Sequence, residues 1–184
     1  MKVIETPISG LVVIEPNIFN DDRGYFFESY QLQKYLDAGI DAQFVQDNES
    51  KSVKGVVRGL HYQLNPFAQA KLVRVVQGTV YDVALDLRKN SPTFGQYFGI
   101  ELSELNKKQI FVPRGFAHGF SVLSETAIFS YKCDNYYNRE SDRAINSFDP
   151  KLNIDWKLDA SEWIVSDKDK IAPKFDDAEM NFIF

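Results

Sequence analysis

Lys71-Leu72-Val73-Arg74-Val75-Val76-Gln77-Gly78-Thr79-Val80-Tyr81-Asp82-Val83-Ala84-Leu85-Asp86-Leu87-Arg88 is the stretch that decides the fold. It reads as two strands around Gln77-Gly78. In the second, Tyr81, Val83, Leu85 and Leu87 alternate with Val80, Asp82, Ala84 and Asp86. A period of two is the signature of a strand with one apolar face. Asn90-Ser91-Pro92-Thr93-Phe94-Gly95 then reads as a loop. Outward from here the same punctuation recurs, and further strands are predicted at Tyr97 to Leu102, Gln109 to Val112, Gly119 to Leu123 and Ala127 to Cys133. One helix is predicted, Glu28 to Ala38, with Leu32, Tyr35 and Leu36 on one side and Gly39 placed to end it. Many short strands and little helix predict an all-β protein, a double-sheet jelly roll or a small closed barrel whose concave interior makes a pocket.

The 184 residues suit a single domain over 1–184, with no repeat or linker to divide it. A net charge of -5 argues against nucleic acid or membrane as partner, since both need a basic face. An anionic ligand would have to be held by local cations. No run approaches the ~20 apolar residues of a membrane span. Met1 to Pro7 lacks the apolar stretch of a secretory signal, so a cytoplasmic protein is expected. Cys133 is the single cysteine, which excludes an internal disulfide and a cysteine-built zinc site.

There are two histidines, His61 in Arg58-Gly59-Leu60-His61-Tyr62-Gln63 and His118 in Pro113-Arg114-Gly115-Phe116-Ala117-His118-Gly119-Phe120. Histidine titrates near neutrality, so a chain this sparing with it could keep it for proton transfer; the alternative is a structural imidazole hydrogen-bonded at a strand end. Jelly-roll metal sites commonly use a His-x-His pair, and Gln63 stands where the second histidine would be, so no metal is expected. Arg58, Lys71 and Arg74 form a cationic group near His61 in the sequence, suited to a phosphate or an enolate oxygen, or else a solvated face. On strand alternation Phe129, Tyr131 and Cys133 share one face and Ser130, Lys132 and Asp134 the other. A tyrosine there is a core residue or, if aimed into a pocket, an acid for an enolate. Trp163 to Asp169 ends an apolar run in charges, as a turn or helix cap would.

These segments, with Asp22-Arg23-Gly24-Tyr25-Phe26-Phe27-Glu28, Tyr136-Tyr137 and Ser166-Asp167-Lys168-Asp169, resemble the dTDP-4-dehydrorhamnose 3,5-epimerase family in the same order over essentially the whole chain. The resemblance implies a cupin-type jelly roll with a few short helices, a homodimer, no metal or organic cofactor, and a dTDP-4-keto-6-deoxy sugar as substrate. It implies His61 as base with Asp169 as its carboxylate partner, Lys71 at the enolate oxygen and Tyr131 as the acid on the far face. Arg23, Glu28, Gln46, Asp47, Asn48, Arg58, Lys71, His118, Asp142 and Lys168 match positions that bind the nucleotide sugar, and Tyr137 an aromatic that stacks on thymine. Part of that nucleotide site can come from the neighbouring subunit, which would place Arg23 and Glu28 across the interface. Asp142 stands where the family usually has Glu. The sequence is also compatible with two other readings: a relative that epimerises only C3 or only C5 of a related dTDP-keto sugar, and a non-catalytic sugar-nucleotide-binding jelly roll.

Overall fold

The turn at Gln77-Gly78 carries the chain from one sheet to another. Gly78 has φ +78, and a Cβ there would lie 2.1 Å from the Thr126 carbonyl oxygen, so the corner accepts only glycine. The computed structural model describes residues 1–184. Its strands are β1 (Lys2–Glu5), β2 (Val12–Glu15), β3 (Ile18–Asp21), β4 (Gly24–Phe27), β5 (Gln46–Val53), β6 (Val57–Gln63), β7 (Lys71–Gln77), β8 (Thr79–Asp86), β9 (Tyr97–Ser103), β10 (Gln109–Val112), β11 (Phe116–Val122), β12 (Thr126–Cys133) and β13 (Asp142–Ala144). Two short α-helices join them, α1 (Leu32–Asp37) and α2 (Asp167–Lys170). One sheet has the order β1-β2-β10-β7-β12-β5 and the other β13-β6-β11-β8-β9, all pairs antiparallel, while β3 and β4 form a separate hairpin. The result is an all-β jelly roll of two facing sheets.

The inner faces meet in a core that includes Val73 and Val75 of β7, Val80 and Ala84 of β8, Phe116 and Phe120 of β11, and Phe129 of β12. Burying a side chain such as Phe129 contributes about 1.5–3 kcal/mol. The alternation in β8 has an outcome the sequence pattern does not show, because both of its faces are buried. Val80, Asp82 and Ala84 point between the sheets, while Val83 and Leu85 point outward beneath Leu152, Trp156, Phe175 and Phe182 of the C-terminal segment. On the far side, Leu72 and Phe111 of the six-stranded sheet are covered by Tyr35 of α1, with Ile40 and Ala42 beyond it.

Two element boundaries differ from expectation. The helix begins at Leu32, not Glu28, because the Gln31 side chain accepts from Lys34 N at 2.6 Å and caps it there. It ends as expected, with Gly39 at φ +81 donating to the Leu36 carbonyl. Strand β11 starts at Phe116 rather than Gly119, so His118 lies inside a buried strand and not at its end. No helix is long and apolar enough to cross a membrane.

Candidate active site

Between the sheets opens a pocket lined by Arg58, His61, His118, Lys71 and Tyr131, with Glu49, Ser50, Gly119, Phe120 and Phe129. Arg58 and His61 come from β6 and His118 from β11 of the five-stranded sheet, whereas Lys71 and Tyr131 come from β7 and β12 opposite. Residues three apart on a regular strand face opposite sides, yet Arg58 and His61 share this pocket. The reason is a bulge in β6: His118 pairs with His61 and Phe120 with Arg58, so three steps on β6 oppose two on β11. Gly59, inside the bulge, has φ +131, and a Cβ on it would meet Gly119 Cα at 2.6 Å.

His61 Nε2 donates to Asp169 Oδ1 at 2.6 Å, which leaves the other ring nitrogen free to accept a proton. Asp169 is 4 % exposed and sits in α2, where the Ser166 hydroxyl caps the turn by accepting from Asp169 N. Burial pushes the Asp169 carboxyl up, but the hydrogen bond and charge of His61, with Ser166 and the Gly59 amide, outweigh it and hold the group below its ordinary range. Burial lowers the Lys71 ammonium, against the opposing pull of Cys133, Asp82 and Asp142. Its Nζ stands 5.9 Å from the centre of the Tyr131 ring. Burial raises the Tyr131 phenol, so it holds its proton at neutral pH. One sheet thus presents an imidazole with a carboxylate partner, and the facing sheet presents a protonated phenol and the Lys71 amino group. That set can take a proton from one side of a bound molecule and return one on the other.

The family model for dTDP-4-dehydrorhamnose 3,5-epimerase matches residues 5–177. The chain belongs to the dTDP-4-dehydrorhamnose 3,5-epimerase family. It is 51% identical over 180 residues to the enzyme of that name from Shigella flexneri, covering 97% of this chain and 98% of the relative. The solved dTDP-4-dehydrorhamnose 3,5-epimerase of Elizabethkingia anophelis NUHP1 is 55% identical, with a TM-score of 0.93 over 96% of this chain and 97% of that one. The dTDP-6-deoxy-D-glucose-3,5-epimerase of Legionella pneumophila Philadelphia 1, solved in complex with dTDP-4-keto-L-rhamnose, is 50% identical with a TM-score of 0.91, covering 95% of this chain and 93% of that one.

In this epimerase-family chain the other singled-out residues divide into groups. Arg58 donates to the Ser52 hydroxyl at 3.0 Å. Tyr137, Asp142 and Lys168 form one cluster, with Asp142 accepting from both of the others. Gln46 accepts from Tyr137 N and donates to Asn48, whose amide reaches Cys133 Sγ. Asp47 takes the opposite face of β5 and pairs with Lys132 at 3.0 Å. Arg74 is likewise turned away from the pocket, because an odd number of positions separates it from Lys71 on β7. It stands over Phe27 and lines a second cavity with Asp47, Ser130 and Lys132. The expected group of Arg58, Lys71 and Arg74 therefore keeps only its first two members. Arg23 and Glu28 lie outside the pocket, paired with Asp21 and Lys34.

Two residues escaped the sequence reading. Asp82 is fully buried, and both its oxygens lie 3.0 Å from His118 Nε2. A carboxylate in the middle of an apolar strand was the available signal. Ser50 lines the pocket from β5, on the face it shares with Gln46 and Asn48, where the surrounding polar run hid it.

Proposed function

We propose that this chain epimerises C3 and C5 of dTDP-4-dehydro-6-deoxy-D-glucose to give dTDP-4-dehydro-L-rhamnose, a step in making dTDP-L-rhamnose. The observation that carries this reading is the placement of His61 and Tyr131 on facing sheets of one pocket, with Lys71 beside Tyr131. The C4 ketone of the substrate acidifies the hydrogens at C3 and C5. His61, oriented by Asp169, removes one of them, and the electron pair moves onto the C4 oxygen as an enolate. Lys71 stabilises that oxygen by donating a hydrogen bond to it in a poorly solvated site. Tyr131 returns a proton to the opposite face of the carbon; its phenolate then recovers a proton from solvent and the His61 imidazolium releases the abstracted one to solvent, which resets both groups for the second carbon. The scheme is redox-neutral and requires no cofactor.

Arg58 and His118 grip the pyrophosphate and sugar in this reading, Arg58 through its planar fork. Gln46, Asn48, Tyr137, Asp142 and Lys168 serve the nucleotide end. The working form in this proposal is a homodimer, in which Arg23, Glu28 and the β3–β4 hairpin complete a neighbour's site. Supporting that are the exposed apolar side chains of the hairpin, Phe19, Tyr25 and Phe26. A cytosolic setting suits the one buried free thiol, Cys133.

Incubation with dTDP-4-dehydro-6-deoxyglucose in deuterated water tests the whole reading, with label read by NMR. Deuterium at both carbons, with inverted configuration, is the expected result. Label at one carbon makes the chain a single-site epimerase, and no label removes the activity on this substrate.

A further inference from the structure

The short helix that brings Asp169 to His61 is weakly anchored. Within α2 only Asp169 is buried, Lys170 pairs with Asp167 on the helix's own surface, and Ile171 just beyond it is 85% exposed. The turn itself makes few apolar contacts, while Val165 before it and Phe175 after it pack in the core, so easy local opening is confined to the turn. Two side chains of the helix tie it to the barrel. One is Asp169 itself. The other is Lys168, whose Nζ donates to Asp142 Oδ2 at 2.6 Å.

Asp142 is well fixed for that purpose. Its side chain is 17% exposed, and the Tyr137 hydroxyl donates to the same oxygen at 3.3 Å. It opens β13, which pairs with β6 so that Asp142 stands opposite Gln63 and Ala144 opposite His61. A closed circuit results: His61, the β6–β13 ladder, Asp142, Lys168, the adjacent Asp169, and back to His61. Lys168 is 60% exposed, and exposed ion pairs contribute little to global stability. What this pair can do is hold one helical turn in place, and a displacement of about 1 Å in a group that orients a base is enough to slow catalysis by about a hundredfold.

We propose that the Asp142–Lys168 ion pair is a positioning device that holds α2 down and so keeps Asp169 aligned on His61. It deepens the epimerase reading, on which only its kinetic arm rests. A residue that merely touched the nucleotide would affect substrate affinity alone. A positioning pair acts on the free protein.

The test uses the full chain with Lys168→Met and Asp142→Asn, the conservative Lys168→Arg, and the double variant Lys168→Met/Asp142→Asn. In the substrate-free protein, NMR follows the low-field proton of the His61 ring bonded to Asp169 and the amide exchange of residues 167–170. Lys168→Met is expected to weaken or abolish that resonance and speed exchange about tenfold or more, with Tm unchanged. It should lower kcat about 10- to 100-fold beyond any change in KM. Lys168→Arg restores these properties, and the double variant is no worse than either single one. An unaltered His61 resonance and unaltered exchange in Lys168→Met, with KM alone raised, overturns the proposal and leaves Lys168 a ligand contact. If the resonance and exchange respond while the parent protein turns over no dTDP-4-dehydro-6-deoxyglucose, the positioning role stands and the epimerase reading falls.

Discussion

His61 has Asp169 on one ring nitrogen and the open pocket before the other, so its removal should be selective. His61→Ala is expected to lower solvent deuterium exchange at both C3 and C5 by about 100- to 10000-fold while dTDP binding, read by calorimetry, stays largely intact. Exchange at a near-native rate would show that another group is the base. Tyr131→Phe keeps the ring and deletes only the phenolic proton. It should permit deuterium exchange at C5 with retained configuration, because abstraction survives and delivery to the far face does not. These residues were legible because chemically distinctive side chains stood in short glycine-punctuated segments whose order matched a family. Which way a side chain points was harder to read. Arg74 looked like a site residue from its neighbours in sequence and Asp47 was given by the resemblance, and strand alternation turns both away from this pocket.

At the level of the element, the β6 bulge places Arg58 and His61 on one face, and no periodicity could have announced it. A pattern of two assumes a regular strand, and the extra residue exists because Gly59 and Gly119 allow two backbones to approach where a Cβ would collide. Gly59→Ala should lose about 3 kcal/mol of stability in a urea titration, from backbone strain plus overpacking. A loss under about 0.5 kcal/mol would mean that the bulge relaxes easily. The end of β8 supplies a second test. Asp86 is fully buried, and although burial pushes its carboxyl up, hydrogen bonds from Arg88, Ser91 and Thr93 hold it below the ordinary carboxylate range. A depressed carboxyl stabilises the fold above its unfolded-state pKa, and that contribution disappears as pH falls through the folded value. Asp86→Asn should therefore be less stable at pH 7 and lose part of the parent's acid dependence below about pH 4, as read from urea midpoints across pH. Among the strands, β9, β10 and β12 fall within a residue of expectation, whereas β1 to β6 and β13, short or polar in sequence, were not anticipated. The helix start was less legible than its end, because a glutamine cap outside the usual set marks it.

For the whole molecule, the β3–β4 hairpin presents Phe19 and Phe26 at 63% and 69% exposure, more than a lone chain would ordinarily leave in water. Light scattering should give twice the 21.1 kDa of the chain, and Phe26→Asp should return a single-chain mass with loss of activity. A parent protein that runs as one chain and is fully active would end the dimer proposal. The jelly roll could be read from punctuation and alternation, but the covering of its outer faces could not. A strand buried on both sides carries the same alternation whatever lies over it, and β8 receives its second cover from residues some 65 to 100 positions later. The His61–Asp169 contact spans a comparable distance, 108 residues. At about 5–20 residues per second of synthesis, on the order of 5–20 s separates the two side chains as they leave the ribosome. Through that interval the imidazole lacks the carboxylate that orients it in the proposed mechanism, so a nascent chain is expected to act poorly on a keto sugar. In the proposed mechanism, activity therefore reports chains synthesised at least through α2.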